Sequence, residues 1–213
     1  MTYTDGLITQ AKGLNKAKKQ VLSISGSPRK GGNTDHIIRQ IRAGLNSVDI
    51  VNEYAHLSSI DFSGCIACER CRKDKICTRL QDGMSVLYPS IMDAKGLVLV
   101  SPVHNYNITS WMKAFIDRLY CFYEFVENTS PRQWSSRLAQ QDRKVVIVAI
   151  CEQENREDLG FAIEAMQKPM EALGYEVLDS VAIFKAFEKG EVRKQQDVMD
   201  KTFELGKLLG QQI

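Results

Sequence analysis

The sequence has no apolar stretch that approaches the roughly 18–20 residues a helix needs to cross a bilayer. Residues 1–19 also lack the apolar central region of a secretory signal, so we expect a cytoplasmic protein with no membrane partner. A formal net charge of +2 favours no particular partner, and no alternation of basic and aromatic residues indicates nucleic acid binding. Internal repeats, low-complexity segments and nucleophile–base pairs with hydrolase spacing are absent too. What remains is an ordinary soluble globular protein.

The chain of 213 residues suffices for one large α/β domain with a hydrophobic core. We predict this domain over residues 20–213, preceded by an N-terminal extension over residues 1–19. A cysteine-rich loop is expected at residues 61–83. In a reducing cytoplasm, clustered cysteines are more often metal or redox sites than disulfides.

Short apolar runs alternate with amphipathic segments along the chain. Strands are predicted at Gln20–Ser25, Val48–Ala55, Gly96–Val100, Lys144–Ile150 and Glu176–Ile183. Helices are predicted at Asn33–Leu45, Met84–Met92, Trp111–Tyr120, Arg156–Leu173 and Arg193–Leu209. Thr109 or Ser110 is expected to cap the third helix, and Pro169 to kink or break the fourth. Five strands alternating with helices predict a parallel sheet covered on both faces, with ligands beyond the carboxyl ends of the strands.

The loop after the first strand reads SGSPRKGGNT and leads into a helix N-terminus. Free backbone N–H groups and the helix dipole favour an anion there, so we predict a phosphate site that includes Gly32. A P-loop needs lysine where Gly32 stands, and Ser27 leaves the dinucleotide fingerprint one glycine short. A mononucleotide such as FMN therefore fits better, and a plain polar turn is the alternative.

Four cysteines follow the spacing C-x2-C-x2-C-x5-C at Cys65, Cys68, Cys71 and Cys77. Compact spacing of this kind is typical of a cubane [4Fe–4S] cluster. Structural zinc is a second interpretation, although zinc sites usually separate two cysteine pairs by a dozen or more residues. Free thiols or a labile disulfide are a third.

Three segments together resemble the iron–sulfur flavoproteins, a group among the NADPH-dependent FMN reductase-like families. They are SGSPRKGGNTD after the first strand, the four-cysteine segment, and SPVHNYNITSWMKAFIDRLY after the third strand. The resemblance implies a flavodoxin-like α/β fold, one FMN, one [4Fe–4S] cluster and a homodimer or homotetramer. It also implies electron transfer between a ferredoxin-like donor and the flavin.

Carried onto this chain, the resemblance assigns two sets of flavin-binding residues. The phosphate would be held by Ser25, Ser27, Arg29, Asn33 and Thr34. The isoalloxazine ring would be lined by Pro102, Val103, His104, Asn105 and Tyr106. Cys151 ends a central strand near the expected ring, and His104 is a weak candidate for proton delivery. For isolated cysteines such as Cys121 and Cys151, the commoner role is that of a small buried hydrophobe.

Joined to FMN, a cluster would convert one-electron transfer into two-electron reduction of a small acceptor such as a quinone. Two alternatives remain open. The chain could be an NAD(P)H-dependent FMN or quinone reductase whose cysteines are incidental, or a zinc-stabilised, non-enzymatic binding module.

Overall fold

A computed structural model describes residues 20–213, so the predicted N-terminal extension lies outside the described residues. The elements in chain order are β1 (Gln20–Ser25), α1 (Asn33–Asn46), β2 (Val51–His56), α2 (Arg70–Asp74), α3 (Met84–Asp93), β3 (Gly96–Pro102), α4 (Ser110–Arg118), β4 (Tyr123–Phe125), β5 (Trp134–Ser136), β6 (Arg143–Ile150), α5 (Ala162–Ala172), β7 (Tyr175–Ile183) and α6 (Gln196–Gln212). Each predicted strand is present, within a few residues of its expected bounds.

The main sheet is parallel throughout, with strand order β2-β1-β3-β6-β7. Its central strands, β3 and β6, are buried over nearly their whole length, as their continuous apolar runs predicted. The order reverses between β1 and β3, since the chain first moves outward to β2 and then returns to the other side of β1. The carboxyl ends of these two strands therefore open the crevice in which ligands of such sheets bind.

Helices cover both faces of the sheet, as expected. On one face α1 and α6 bury an apolar stripe that includes Ile37, Ile41 and Leu205. On the other face α3, α4 and α5 pack over a larger cluster. Helices α1 and α6 cross so closely that a Cβ at Gly206 would lie 2.0 Å from the backbone oxygen of Ile41, which only glycine permits.

One predicted helix was wrong, and one pair of strands was not predicted. The segment expected to form one helix over Arg156–Leu173 is a short 3-10 turn followed by α5. The helical conformation is interrupted at Gly160, where φ is +55°. Pro169 lies inside α5, which continues past it. In addition, the connection after α4 contains an antiparallel pair, β4 and β5, whose three-residue strands were too short to recognise.

Between residues 20 and 213, the structure has no helix with the length and apolar character that a membrane span requires.

Candidate functional site

The loop from Ser25 to Thr34 joins β1 to α1 and is fastened to the neighbouring elements through Gly26. The Gly26 N–H donates to the Val100 oxygen at 2.9 Å, and its carbonyl accepts the Thr109 hydroxyl at 2.6 Å. A Cβ at Gly26 would lie 2.9 Å from Met112 Cβ, so α4 leaves no room for a side chain there. Thr109 also caps α4, because its Oγ1 accepts the Met112 N–H, which confirms the predicted cap.

The N-terminus of α1, which follows this loop, has backbone N–H groups that make no hydrogen bond within residues 20–213. Gly32 is the N-cap residue, and no side chain in the described part of the chain caps the helix. Gly31 has a φ of +67°, and its N–H donates to the Asp35 carboxylate. The buried Ser27 hydroxyl accepts the Arg29 N–H at 3.1 Å. A helix N-terminus with free N–H groups and a glycine-rich approach is suited to a phosphate.

The side chains of two predicted phosphate ligands are turned to the segment after β7. The Asn33 amide donates to the backbone oxygens of Ala186 and Glu188, both at 3.0 Å. The Arg29 guanidinium donates to the Phe187 oxygen at 3.2 Å and lies over its ring. At Asn33 the backbone N–H of the helix N-terminus is therefore the group left for an anion. Ser25 and Thr34 are buried at the two ends of the loop.

Lys189 is a candidate phosphate ligand that the sequence did not indicate. A Cβ at Gly31 would lie 3.4 Å from the Lys189 ammonium nitrogen, which places this cation beside the loop. More than 150 positions separate the two residues, and a single exposed lysine carries no motif. Only the fold reveals their proximity.

The loop after β3 forms a tight turn at the edge of the crevice. The His104 and Asn107 backbones exchange hydrogen bonds of 2.8 and 3.1 Å, and the two residues between them, Asn105 and Tyr106, have φ values of 48° and 60°. This pattern is that of a type I′ turn. Val103 extends the sheet by donating its N–H to the Ile150 oxygen at 2.8 Å.

A second aromatic residue stands beside this turn. The Tyr106 oxygen accepts the Phe161 N–H at 2.8 Å, and a Cβ at Gly160 would lie 2.0 Å from that same oxygen. Glycine at position 160 is thus what lets the segment before α5 approach the turn. Tyr106 and Phe161 are 61% and 70% exposed as residues, so both are available to a planar ligand.

The two isolated cysteines are buried. Burial raises the pKa of the Cys121 thiol to about 12 and also raises the pKa of the Cys151 thiol. Both are therefore neutral thiols at pH 7, as expected for small hydrophobes. Cys151 lies at the end of β6, where its N–H donates to the Ile183 oxygen at 2.7 Å.

All four clustered cysteines line one small cavity in the loop between β2 and α3. Cys65 and Cys68 are exposed, and Cys71 and Cys77 are partly buried. Burial raises the pKa of Cys71, and the neighbouring sulfurs of Cys77, Cys65 and Cys68 raise it further. In residues 20–213, however, no three cysteine, histidine or carboxylate side chains converge tightly enough to hold a single metal ion. The arrangement gathers the thiols around a space without forming a mononuclear site.

The backbone of this loop supports a ligand in the cavity. Ala67, Glu69 and Lys75 have φ values of 52°, 56° and 59°, in the left-handed region that costs a non-glycine residue about 1–2 kcal/mol. None of the N–H groups of residues 64–69 donates a hydrogen bond within the described part of the chain. Four thiols, unused N–H donors and a strained wrapping backbone fit a cluster with several sulfur atoms.

The two stems of the loop are closed by a buried ion pair between Arg118 and Asp82. The Arg118 Nη1 donates to Asp82 Oδ2 at 2.7 Å, and Nη2 donates to Oδ1 at 3.0 Å. Burial alone would raise the pKa of Asp82, but Arg118 and the backbone N–H groups of Ser63 and Met84 outweigh it and hold the pKa below its usual value. The Arg118 side chain lies at the cavity wall and is 2% exposed.

The tip of the loop is anchored to the β4–β5 hairpin. Arg72 donates to the Tyr120 hydroxyl at 2.8 and 3.1 Å, and its guanidinium lies 4.5 Å from the centre of the Phe125 ring. Lys75 pairs with Glu124 at 3.3 Å. The aromatic stretch after α4 therefore holds the cysteine loop in place.

Helix α4 connects the two halves of the site. Its cap, Thr109, holds the loop of residues 25–34, named the phosphate loop after the anion site predicted there. Its last residue, Arg118, holds the loop of residues 61–83, named the cysteine loop. The nine residues of the helix correspond to a length of about 13 Å. A Cβ at Gly64 would lie 3.9 Å from Ala114 Cβ, so Cys65, next in sequence, lies near the middle of the helix. The cavity and the crevice are therefore neighbours.

Solved structures that superpose on this chain identify its fold. An FMN-dependent NADH-azoreductase from Bacillus anthracis superposes with a TM-score of 0.67 at 14% identity, over 90% of this chain and 100% of that one. An NAD(P)H:quinone oxidoreductase from Methanothermobacter marburgensis gives 0.66 at 16% identity, over 91% and 100%. These matches confirm the flavodoxin-like fold.

Comparison of the sequence with known families and proteins identifies the family of this chain. The profile of the NADPH-dependent FMN reductases matches residues 20–154. An iron–sulfur flavoprotein of Methanocaldococcus jannaschii is 30% identical over 99 residues, which cover 46% of this chain and 51% of that protein. One of Archaeoglobus fulgidus is 33% identical over 98 residues, covering 46% and 49%. The chain thus matches about half the length of these curated relatives. With the profile covering well over half of the sequence, and with iron–sulfur flavoproteins among its relatives, the chain belongs to the NADPH-dependent FMN reductase family.

Proposed function

We propose that the chain is an iron–sulfur flavoprotein that carries electrons between a ferredoxin-like donor, a [4Fe–4S] cluster and FMN, and reduces a small acceptor. The observation that carries the proposal is the single cavity lined by Cys65, Cys68, Cys71 and Cys77, beside the helix whose cap holds the phosphate loop. When bound, the cluster would supply one-electron transfer and FMN one- or two-electron chemistry.

The chain's own residues bind and orient these groups. The N–H groups at the start of α1, with the Ser27 hydroxyl and the Lys189 ammonium, would hold the FMN phosphate. The turn at Asn105 and Tyr106 and the exposed ring of Phe161 would border the isoalloxazine ring. The four thiolates would ligate iron.

Several finer points belong to the same proposal. NAD(P)H is the alternative electron donor, quinones are candidate acceptors, and the assembly is a homodimer or homotetramer. A cytoplasmic location is consistent with free thiols, which a reducing compartment preserves.

The test is a composition measurement on protein purified and reconstituted without oxygen. We expect one FMN, about four iron atoms and about four acid-labile sulfides per chain. Replacing Cys68 by serine should abolish the iron and the sulfide while FMN remains. Replacing the buried Cys121 by serine is the matched control and should leave iron unchanged. Zinc, or iron without sulfide, in the wild-type protein would refute the cluster.

A second candidate function is an NAD(P)H-dependent FMN or quinone reductase whose cysteines are incidental. It is favoured by the absence, among the described residues, of any three cysteine, histidine or carboxylate side chains that could together hold one metal ion. Its signature would be rapid reduction of bound FMN by NADPH at a rate unchanged by replacing Cys68 and Cys71 with serine.

A further inference from the structure

We infer that Arg118 is a hydrogen-bond donor to the cluster, through its Nε–H group, and thereby sets the reduction potential of the cluster. This inference rests on the proposed function, because it assigns a role toward the same cluster to a residue outside the cysteine motif.

The Arg118 guanidinium has one N–H donor that makes no hydrogen bond in the described part of the chain. Arginine has five N–H donors and no acceptor. Four are used: Nη1 donates to Asp82 and to the Ser63 oxygen at 2.8 Å, and Nη2 donates to Asp82 and, at 3.4 Å, to the Leu80 oxygen. The fifth, Nε–H, is buried and makes no hydrogen bond within the described residues, and the Tyr88 hydroxyl also lies beside the guanidinium.

An unpaired donor on a buried charged group is costly, at about 1–3 kcal/mol or more. Buried polar groups are therefore almost always satisfied, and one that is not calls for a missing partner. Arg118 lines the same cavity as the four cysteines. The proposed ligand of this cavity, a [4Fe–4S] cluster, is anionic and rich in sulfur. Sulfur atoms accept N–H hydrogen bonds in iron–sulfur proteins.

The position of Arg118 suits this role better than that of its neighbours. Arg70 and Arg79 line the cavity too, but both are exposed, so water screens their charges. The guanidinium of Arg118 is held by four hydrogen bonds at the stems of the loop and cannot turn away. A fixed donor in a buried setting stabilises the reduced, more negative cluster, and therefore raises its potential.

The first experiment is decided by the wild-type holoprotein, so misfolding of a variant does not affect the outcome that would overturn the inference. Protein labelled with 15N-arginine is reconstituted, reduced with dithionite and studied by pulsed electron paramagnetic resonance. We expect a 15N coupling to the reduced cluster, and its disappearance in R118K, whose ammonium lacks an Nε–H. A wild-type spectrum without a 15N coupling would overturn the inference.

The second experiment measures the cluster potential in two variants that both lack the Asp82 carboxylate and differ in the side chain at position 118. D82N retains Arg118, whereas D82N/R118Q replaces both members of the ion pair. We expect the double variant to have a clearly lower potential than D82N, and R79Q, which removes an exposed arginine, to change the wild-type potential far less. Equal potentials in D82N and D82N/R118Q would contradict a role for Arg118. If wild-type protein assembles no cluster, the proposed function itself fails, and this outcome differs from a cluster with no coupling to arginine.

Discussion

At the scale of single residues, the site depends on polar groups that join elements far apart in sequence. The Thr109 hydroxyl is the clearest case, because it accepts the Met112 N–H and donates to the Gly26 oxygen. One buried side chain therefore caps α4 and fastens the phosphate loop.

Replacing Thr109 by valine should lower the free energy of unfolding by about 1–2 kcal/mol, since it removes a helix cap and leaves a buried carbonyl unpaired. It should also weaken FMN binding, because the loop loses its tie to α4. Urea unfolding and a flavin titration measure the two effects. T109S retains the hydroxyl and is the control; an equal loss of FMN affinity in T109S and T109V would show that the hydroxyl is not the cause.

Asp82 predicts a pH dependence. Its pKa in the folded state lies below the unfolded value of about 3.9, so it stabilises the fold above that pH and loses this contribution as pH falls through the folded pKa. The wild-type protein should therefore be more stable than D82N at pH 7, and the difference should shrink below about pH 4. The test is to prepare both proteins without iron and to measure unfolding curves from pH 3 to pH 7, in steps of about one pH unit. A difference that grows on acidification would contradict the ion pair.

Sequence reasoning found the cysteines and missed Arg118. The spacing of the cysteines is a recognisable motif, whereas Arg118 belongs to no motif and is an ordinary polar residue at the end of an amphipathic helix. Its role depends on Asp82, Ser63 and Leu80, which only the fold brings to it.

At the scale of elements, the strands were predictable because each depends on its own apolar run. The long helix expected over Arg156–Leu173 was not, because its break at Gly160 depends on the close approach of the Tyr106 backbone. The β4–β5 pair was missed for a similar reason. Its strands have three residues each and are stabilised by contacts with the cysteine loop, such as that of Arg72 with Tyr120 and Phe125.

That contact predicts a local effect. Replacing Arg72 by alanine should free the tip of the loop, since it removes hydrogen bonds and a cation–π contact together worth about 1 kcal/mol. Amide hydrogen exchange over residues 64–80 should then rise by about fivefold, while exchange in the main sheet stays the same. Lys73→Ala, at an exposed neighbour in the same short helix, is the control. Equal exchange in the two variants would show that Arg72 does not anchor the loop.

At the scale of the whole molecule, the alternation of strands and helices predicted the parallel sheet and the edge at which to look for a ligand. The predicted flavin residues do lie along that edge, in the loops after β1, β3 and β6. The sequence could not predict how the two centres are connected. Helix α4 is that connection, because it holds the phosphate loop at one end and the cysteine loop at the other.

In the proposed function, electrons pass between the cysteine loop and the flavin crevice of one chain. Rapid mixing of anaerobic protein with a reduced ferredoxin, followed at the FMN absorption, tests it most directly. We predict fast reduction of FMN in the wild-type protein, and loss of the fast phase in C68S protein that still binds FMN. FMN reduced by ferredoxin at the same rate in both proteins would contradict the account.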